Sequence, residues 1–252
     1  MPDRARRRCT RWGPLAPPTG RYVAVMQTLD GRRIVVTGAS PSAVSIADAL
    51  AAAGGQVRRI ADGFDTEAAV AQSLAAAEGA LGGIDQVVHA WMPDSVLRGA
   101  SFMSLDELAW AGGCEVALSG AWWLARQAIP LLLKTKGCLL FLVPTIGMSG
   151  AADYSMLASV AEGIRVLAKG CGRQLGTDGV TVNTIATANA LWMPPDDAKT
   201  VTGATTLSTP AFGRPGDPVD DLAPLVALIG QADAHFVTAG TLVADGGVWM
   251  GL

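Results

Sequence analysis

The chain has 252 residues, half of them hydrophobic and only 16% charged, with 30 glycines and a formal net charge of −3. A chain of this length can bury one substantial core, and so apolar a composition suits a parallel sheet covered on both faces by helices. Six Arg and two Asp fall in residues 1–30, which leaves −7 over the remainder and argues against nucleic acid as a partner of the folded part. No apolar run reaches the roughly 18 residues of a membrane span, and no secretory apolar region follows the basic start. No membrane partner is therefore expected, and a cytoplasmic location is. Cys9, Cys114, Cys138 and Cys171 lie far apart without metal-ligand spacing, so the expectation is free thiols and no metal site.

Residues 1–25 are rich in Arg and Pro and lack periodicity. They read as a disordered arm, or as sequence upstream of a start at Met26, with a basic arm for an anionic partner as the sharper alternative. Residues 26–252 read as one domain. Ile34–Val36 is a short β-branched strand, Thr37–Ser42 has turn chemistry, and Ala43–Ala53 is a helix stopped by Gly54-Gly55 before a strand opens at Val57. Such a βαβ unit offers free helix N–H groups to a phosphate. A helix is expected over Thr66–Leu81 and a strand over Ile84–His89. Ser104 is expected to cap a long helix through Trp122-Trp123 towards Pro130. Leu139–Val143 reads as a strand, Pro144–Tyr154 as a loop, and Met156–Leu175 as a helix. A strand over Val180–Ile185 follows, then a Pro/Thr/Gly-rich cover over 188–216. A helix over Asp220–Ile229 and a last strand over Phe236–Ala244 complete the chain. Strands alternating with helices imply a three-layer α/β/α, doubly wound, Rossmann-like parallel sheet.

Four motifs resemble those of the short-chain dehydrogenase/reductase family. Thr37-Gly38-Ala39-Ser40 resembles the start of its TGxxxGxG turn, and Gly83–Val88 the lead into its NNAG strand. Gly179–Ala186 is similar to its GIRVNxIAPG strand. Arg214–Pro218 with Thr238-Ala239-Gly240 and Val243–Gly247 resembles its C-terminal pattern. The resemblance covers Met26 to Leu252 and implies a dinucleotide site and a Ser-Tyr-Lys catalytic set, with Tyr as general acid/base, Lys lowering its pKa, and Ser positioning the carbonyl.

The positions that carry this chemistry are occupied by other residue types. The second and third glycines of the turn fall on Ser42 and Val44, where side chains stand in the path of a pyrophosphate and Val44 is expected to crowd the helix start. NNAG falls on His89-Ala90-Trp91-Met92. The PG after the next-to-last strand falls on Thr187-Ala188, and the nicotinamide-holding threonine on Trp192. The catalytic Ser, Tyr and Lys fall on Pro144, Leu157 and Ala161, and the supporting Asn on Ala117. Thr145 could imitate the serine only with the strand end shifted by one. From Thr37 to His89 is 52 residues. The family spends about twenty more here, on a crossover and strand at the adenine side, so the region between the second and third strands is expected to be shortened.

Asp62 and Asp65 read as turn or cap residues, with the ribose and adenine positions as alternatives. His89 reads as a filler of vacated space, with general base as the alternative; His235 is the other histidine. Asp153-Tyr154 is the one polar pair able to support unfamiliar chemistry. Trp91, Trp110, Trp122, Trp123 and Trp192 read as core or interface, with an aromatic ligand box as the alternative. The resemblance then implies a catalytically inactive subunit without catalytic, cofactor or metal residues. It would pair with an active paralogue as a heterodimer or heterotetramer in an NAD-dependent dehydrogenase of the hydroxyacyl-CoA type. A divergent NAD(P)-dependent oxidoreductase using Asp153 and Tyr154, or a ligand-sensing module, are the alternatives.

Overall fold

The computed structural model describes residues 29–193, 198 and 210–250. Residues 1–25, expected to be disordered or upstream sequence, and much of the expected cover over 188–216 lie outside the described residues. Six parallel strands, β1 Arg33–Thr37, β2 Gln56–Ile60, β3 Gln86–His89, β4 Cys138–Pro144, β5 Thr181–Thr187 and β6 Thr241–Ala244, pair in the order β2-β1-β3-β4-β5-β6. The order reverses between β1 and β3, which puts the switch point of the sheet at their carboxyl ends. In this register Ile34 stands opposite Val57 on one side and Gln86 on the other, and Leu139 opposite both Val87 and Val182.

Because both sheet faces are covered, successive strand residues feed opposite cores. Val35, Val87, Leu139, Phe141 and Val182 pack beneath α2 (Glu67–Leu81), α4 (Glu107–Thr135) and α6 (Ser155–Leu175). Val36, Val88, Leu140 and Ile185 pack beneath α1 (Pro41–Ala52) and α7 (Ala223–Ile229). The remaining helical turns are α3 (Asp94–Leu97) and α5 (Ile146–Ser149). Residues 61–85 hold a loop, α2 and a turn, and the next strand crosses back to pair with β1. β2 is therefore an edge, with Arg58 and Arg59 exposed on it, charges that discourage strand addition.

Local boundaries differ from the sequence reading for definable reasons. The cap of α4 is Asp106, whose carboxylate accepts the Ala109 N–H at 2.7 Å; Ser104 only closes a short turn. The helix continues past Pro130 to Thr135, since Arg126 and Pro130 are both solvent-exposed and the carbonyl left without a donor can meet water. The segment 144–154 contains the helical turn α5. β6 begins at Thr241 because Ala239, at φ +57°, breaks the extended backbone, and Asn183 ties the turn before it by donating to Val237 O and accepting the Gly240 N–H. Among the described residues α4 is the one helix long and apolar enough, by length and composition, to cross a membrane. Its Gly113, Ala117, Gly120, Ala121 and Leu124 are packed against neighbouring elements, as in a core helix.

Gly38 has φ +111°, and a Cβ there would lie 2.5 Å from the Ala90 carbonyl oxygen. Gly38→Ala should therefore lower unfolding free energy by about 2–4 kcal/mol. Gly82→Ala, equally left-handed but in open space, should cost only about 1 kcal/mol. Urea denaturation midpoints at unchanged slope check both.

Candidate functional site

The carboxyl ends of β1 and β3 meet the first turn of α1. Ser40 caps that helix, its hydroxyl accepting the Ala43 N–H at 3.2 Å. Pro41 at the first helical position has no N–H to offer. Two of the donors that a phosphate would use are thus absent or engaged. Val44 is half-buried within a regular turn, its amide donating to Ser40 O at 3.0 Å, so the helix start is not crowded. The Ser42 hydroxyl donates to Leu191 O at 2.7 Å, which draws the segment after β5 down over the helix start. Trp192 completes the strap: its indole N–H donates to the buried Thr187 hydroxyl at 2.8 Å. Ala188 is buried below, and Asn189 accepts the Ile146 N–H at 3.1 Å. The space left between Ser42, Ala90, Leu191 and Trp192 is about 10 Å³, roughly one water molecule. These residues do not fit the pyrophosphate of a dinucleotide.

The end of β3 is filled with aromatic rings. Thr37 and His89 stand opposite each other across the ladder, and the Thr37 hydroxyl shares a 2.9 Å bond with His89 Nδ1 while accepting the Ala90 N–H at 3.2 Å. The Thr37 hydroxyl proton goes to Nδ1, the assignment that satisfies this network, so the ring is the neutral Nε2–H tautomer. Nε2 has no partner and lies among Phe64 and Phe141, whose rings stand edge-on at 5.7 and 5.6 Å. Burial pushes the His89 pKa down to about 3, which makes it a poor general base at neutral pH. Trp91 is half-buried, stacked on Phe64 at 4.8 Å, and Met92 is buried. Phe64, from the shortened loop after β2, thus packs beneath the residues at the NNAG position.

At the positions where the resemblance places the catalytic set, Pro144 ends β4 opposite Thr187, and Leu157, Ala161 and Ala117 are fully buried in the core. A Cβ on Gly147 would lie 2.9 Å from the Ala161 Cβ, so α5 leaves no path for a longer side chain there. Thr145 follows β4 with a buried hydroxyl that has no partner. Asp153 and Tyr154 diverge. Asp153 is exposed with φ +64°, whereas Tyr154 is buried with its ring against Gly99.

Asp62 and Asp65 are exposed in the loop, and the cap of α2 is Thr66. His235 is exposed and bonds only to its own turn at Ala232 O. The five tryptophans do not form one box. Trp91 and Trp192 face the switch point, and Trp110 and Trp123 pack on the core from α4. Trp122 is exposed with the Arg126 guanidinium 5.4 Å from its ring. Sequence reasoning missed three contributors: Phe64, Leu191 as the acceptor of the strap, and Asn189. Only Phe64 left a sequence signal, a lone aromatic in a shortened loop.

A parallel sheet reversing at β1 and β3, with its cleft at the carboxyl ends, defines a dinucleotide-type α/β protein. Residues 20–249 match the family model described as enoyl-(acyl carrier protein) reductase, and the chain belongs to that family, within the short-chain dehydrogenase/reductase oxidoreductases. The 3-oxoacyl-[acyl-carrier-protein] reductase of Vibrio cholerae is 28% identical over 174 residues, 67% of this chain and 68% of its own. Its namesake from Vibrio harveyi is 25% identical over 92% of this chain and 93% of its own. The corresponding protein of Staphylococcus aureus is 22% identical over 92% and 94%.

Two outcomes follow from this geometry. His89 has its pKa lowered to about 3 in the native state, so between pH 6.5 and 3 the unfolded chain binds the extra proton. Its contribution to stability is complete above pH 6.5 and falls by about 1.4 kcal/mol per pH unit below it. His89→Phe should flatten the denaturation-midpoint profile by one proton over that range relative to wild type. Ala161→Lys, which restores the family lysine, should destabilise the fold by more than about 3 kcal/mol and give no reductase activity. Thermal melting and an NADH oxidation assay read the two effects.

Proposed function

We propose that this chain is a catalytically silent short-chain dehydrogenase/reductase subunit that pairs with an active paralogue, as a heterodimer or heterotetramer. The observation that carries this reading is the strap. Ser42 and Trp192 hold the segment after β5 across the phosphate position. The positions of the family's Tyr and Lys are core residues at zero exposure. In this reading residues 26–252 form the folded unit, hold no dinucleotide, and work in the cytoplasm.

The outer face of α4 supports the partner. Leu108 is 83% exposed, Trp122 46% and Leu133 41%. Trp122 comes 14 residues and Leu133 25 residues after Leu108, so at about 100° per residue all three share one stripe within roughly 40°. Phe102 and Met103, exposed just before the helix, extend it. Apolar residues aligned in this way are best covered by another protein surface. The relatives are named for 3-oxoacyl groups on carrier protein, which supports an acyl thioester as the substrate class of the active partner. The proposed arrangement is similar in kind to the non-catalytic subunit of 2-[hydroxy(phenyl)methyl]succinyl-CoA dehydrogenase.

Affinity purification from the source cells should recover, in stoichiometric amount, a second short-chain dehydrogenase with an intact Tyr-x-x-x-Lys motif. Trp122→Glu should abolish that recovery while moving the melting temperature of the isolated chain by only a few degrees. A stable, monodisperse homomer indifferent to the substitution would contradict the reading.

A further inference from the structure

The strap closes the phosphate position but leaves an open cavity beside it. This second cavity, about 550 Å³, lies at the carboxyl ends of β1 and β3 and is walled by Ser40, Trp91, Met92, Asp94, Leu97 and Trp192, among others. Its volume falls within the range of small-molecule sites, about 300–1,000 Å³. Both tryptophans are fixed before any ligand arrives. The Trp192 indole is held by Thr187, and Trp91 rests on Phe64, so close to α4 that a Cβ on Gly120 would lie 3.0 Å from its ring. The charge on the wall is the Asp94 carboxylate, with neither Lys nor Arg among the lining residues. The Ser40 hydroxyl accepts the Ala43 N–H and keeps a single O–H to donate. A phosphate or carboxylate would find a negative wall and few free donors. A flat cation would find two indole side chains and a counter-charge.

We propose that this cavity is a binding site for a planar aromatic cation without phosphate, held between Trp91 and Trp192 and paired with Asp94. The vacated end of the family's cleft is thereby converted to a different ligand class. The site stands whether or not the chain assembles with a partner, so its test is independent of the assembly.

The full chain is titrated, by calorimetry and ligand-observed NMR, with three probes of one shape: 1-methylquinolinium, neutral quinoline and quinoline-4-carboxylate. The expected order is cation, neutral, anion, with the cation bound at least about tenfold more tightly than the anion, a difference of about 1.4 kcal/mol. Asp94→Asn, an exposed position where folding is not at risk, should bring cation and neutral probe together without abolishing either. Trp192→Leu should weaken the cation by a larger factor than the neutral probe. Absence of binding by all three at millimolar concentration, preference for the carboxylate, or a cation affinity unchanged in both variants would each overturn the proposal.

Discussion

One hydrogen bond, 2.7 Å from the Ser42 hydroxyl to Leu191 O, governs what the carboxyl edge of this sheet can hold. In a dinucleotide fold the turn after β1 is kept free of side chains so that a pyrophosphate can approach the helix amides. Here the same turn carries Pro41, which has no amide proton, and Ser40, whose hydroxyl takes the Ala43 N–H. Ser42 then fastens the return from β5 over the remainder. A neutral hydroxyl–carbonyl bond contributes only about 1 kcal/mol on its own. Its effect comes from cooperation with Trp192–Thr187 and Asn189–Ile146, which fix the same short segment at two further points.

The aromatic filling of β3 continues this logic on the other sheet face. β2 leads directly into the loop 61–66, and Phe64 from that loop packs against Trp91. The neutral His89 ring packs there with one nitrogen bonded to Thr37 and its ring at T-shaped angles to Phe64 and Phe141. Leu157 and Ala161 are apolar and fully buried, and α5 closes on Ala161 through Gly147. These changes are mutually supporting, which is why the fold stays well packed while the cleft changes character.

Much of the architecture was legible in the sequence because a doubly wound sheet writes its strands as short β-branched runs and its helices as Ala/Leu segments between glycines. Val87-Val88, Leu139–Val143 and Glu67–Leu81 are examples. The shortened span between Thr37 and His89 showed itself by length alone. What the sequence could not disclose were contacts between residues far apart in the chain. Ser42 reads as an obstacle, and only the fold reveals that it bonds a carbonyl 149 residues away. The sequence reading starts β6 too early because Phe236 and Val237 look like strand residues, whereas Asn183 secures that loop by side-chain bonds. The cap of α4 was misplaced by two residues because Ser104 and Asp106 are both competent caps, and Asp106 alone sits where its carboxylate meets Ala109.

The central claim is that the family's phosphate cradle is closed in this chain. Calorimetric titration of the full-length protein with NADH and NADPH tests it most directly, since a ligand held by the native state must release heat or raise the melting temperature. The account predicts neither heat of binding nor stabilisation at about 1 mM of either dinucleotide. A dissociation constant in the micromolar range, lost in Ser42→Trp, would show that the strap opens and would contradict it.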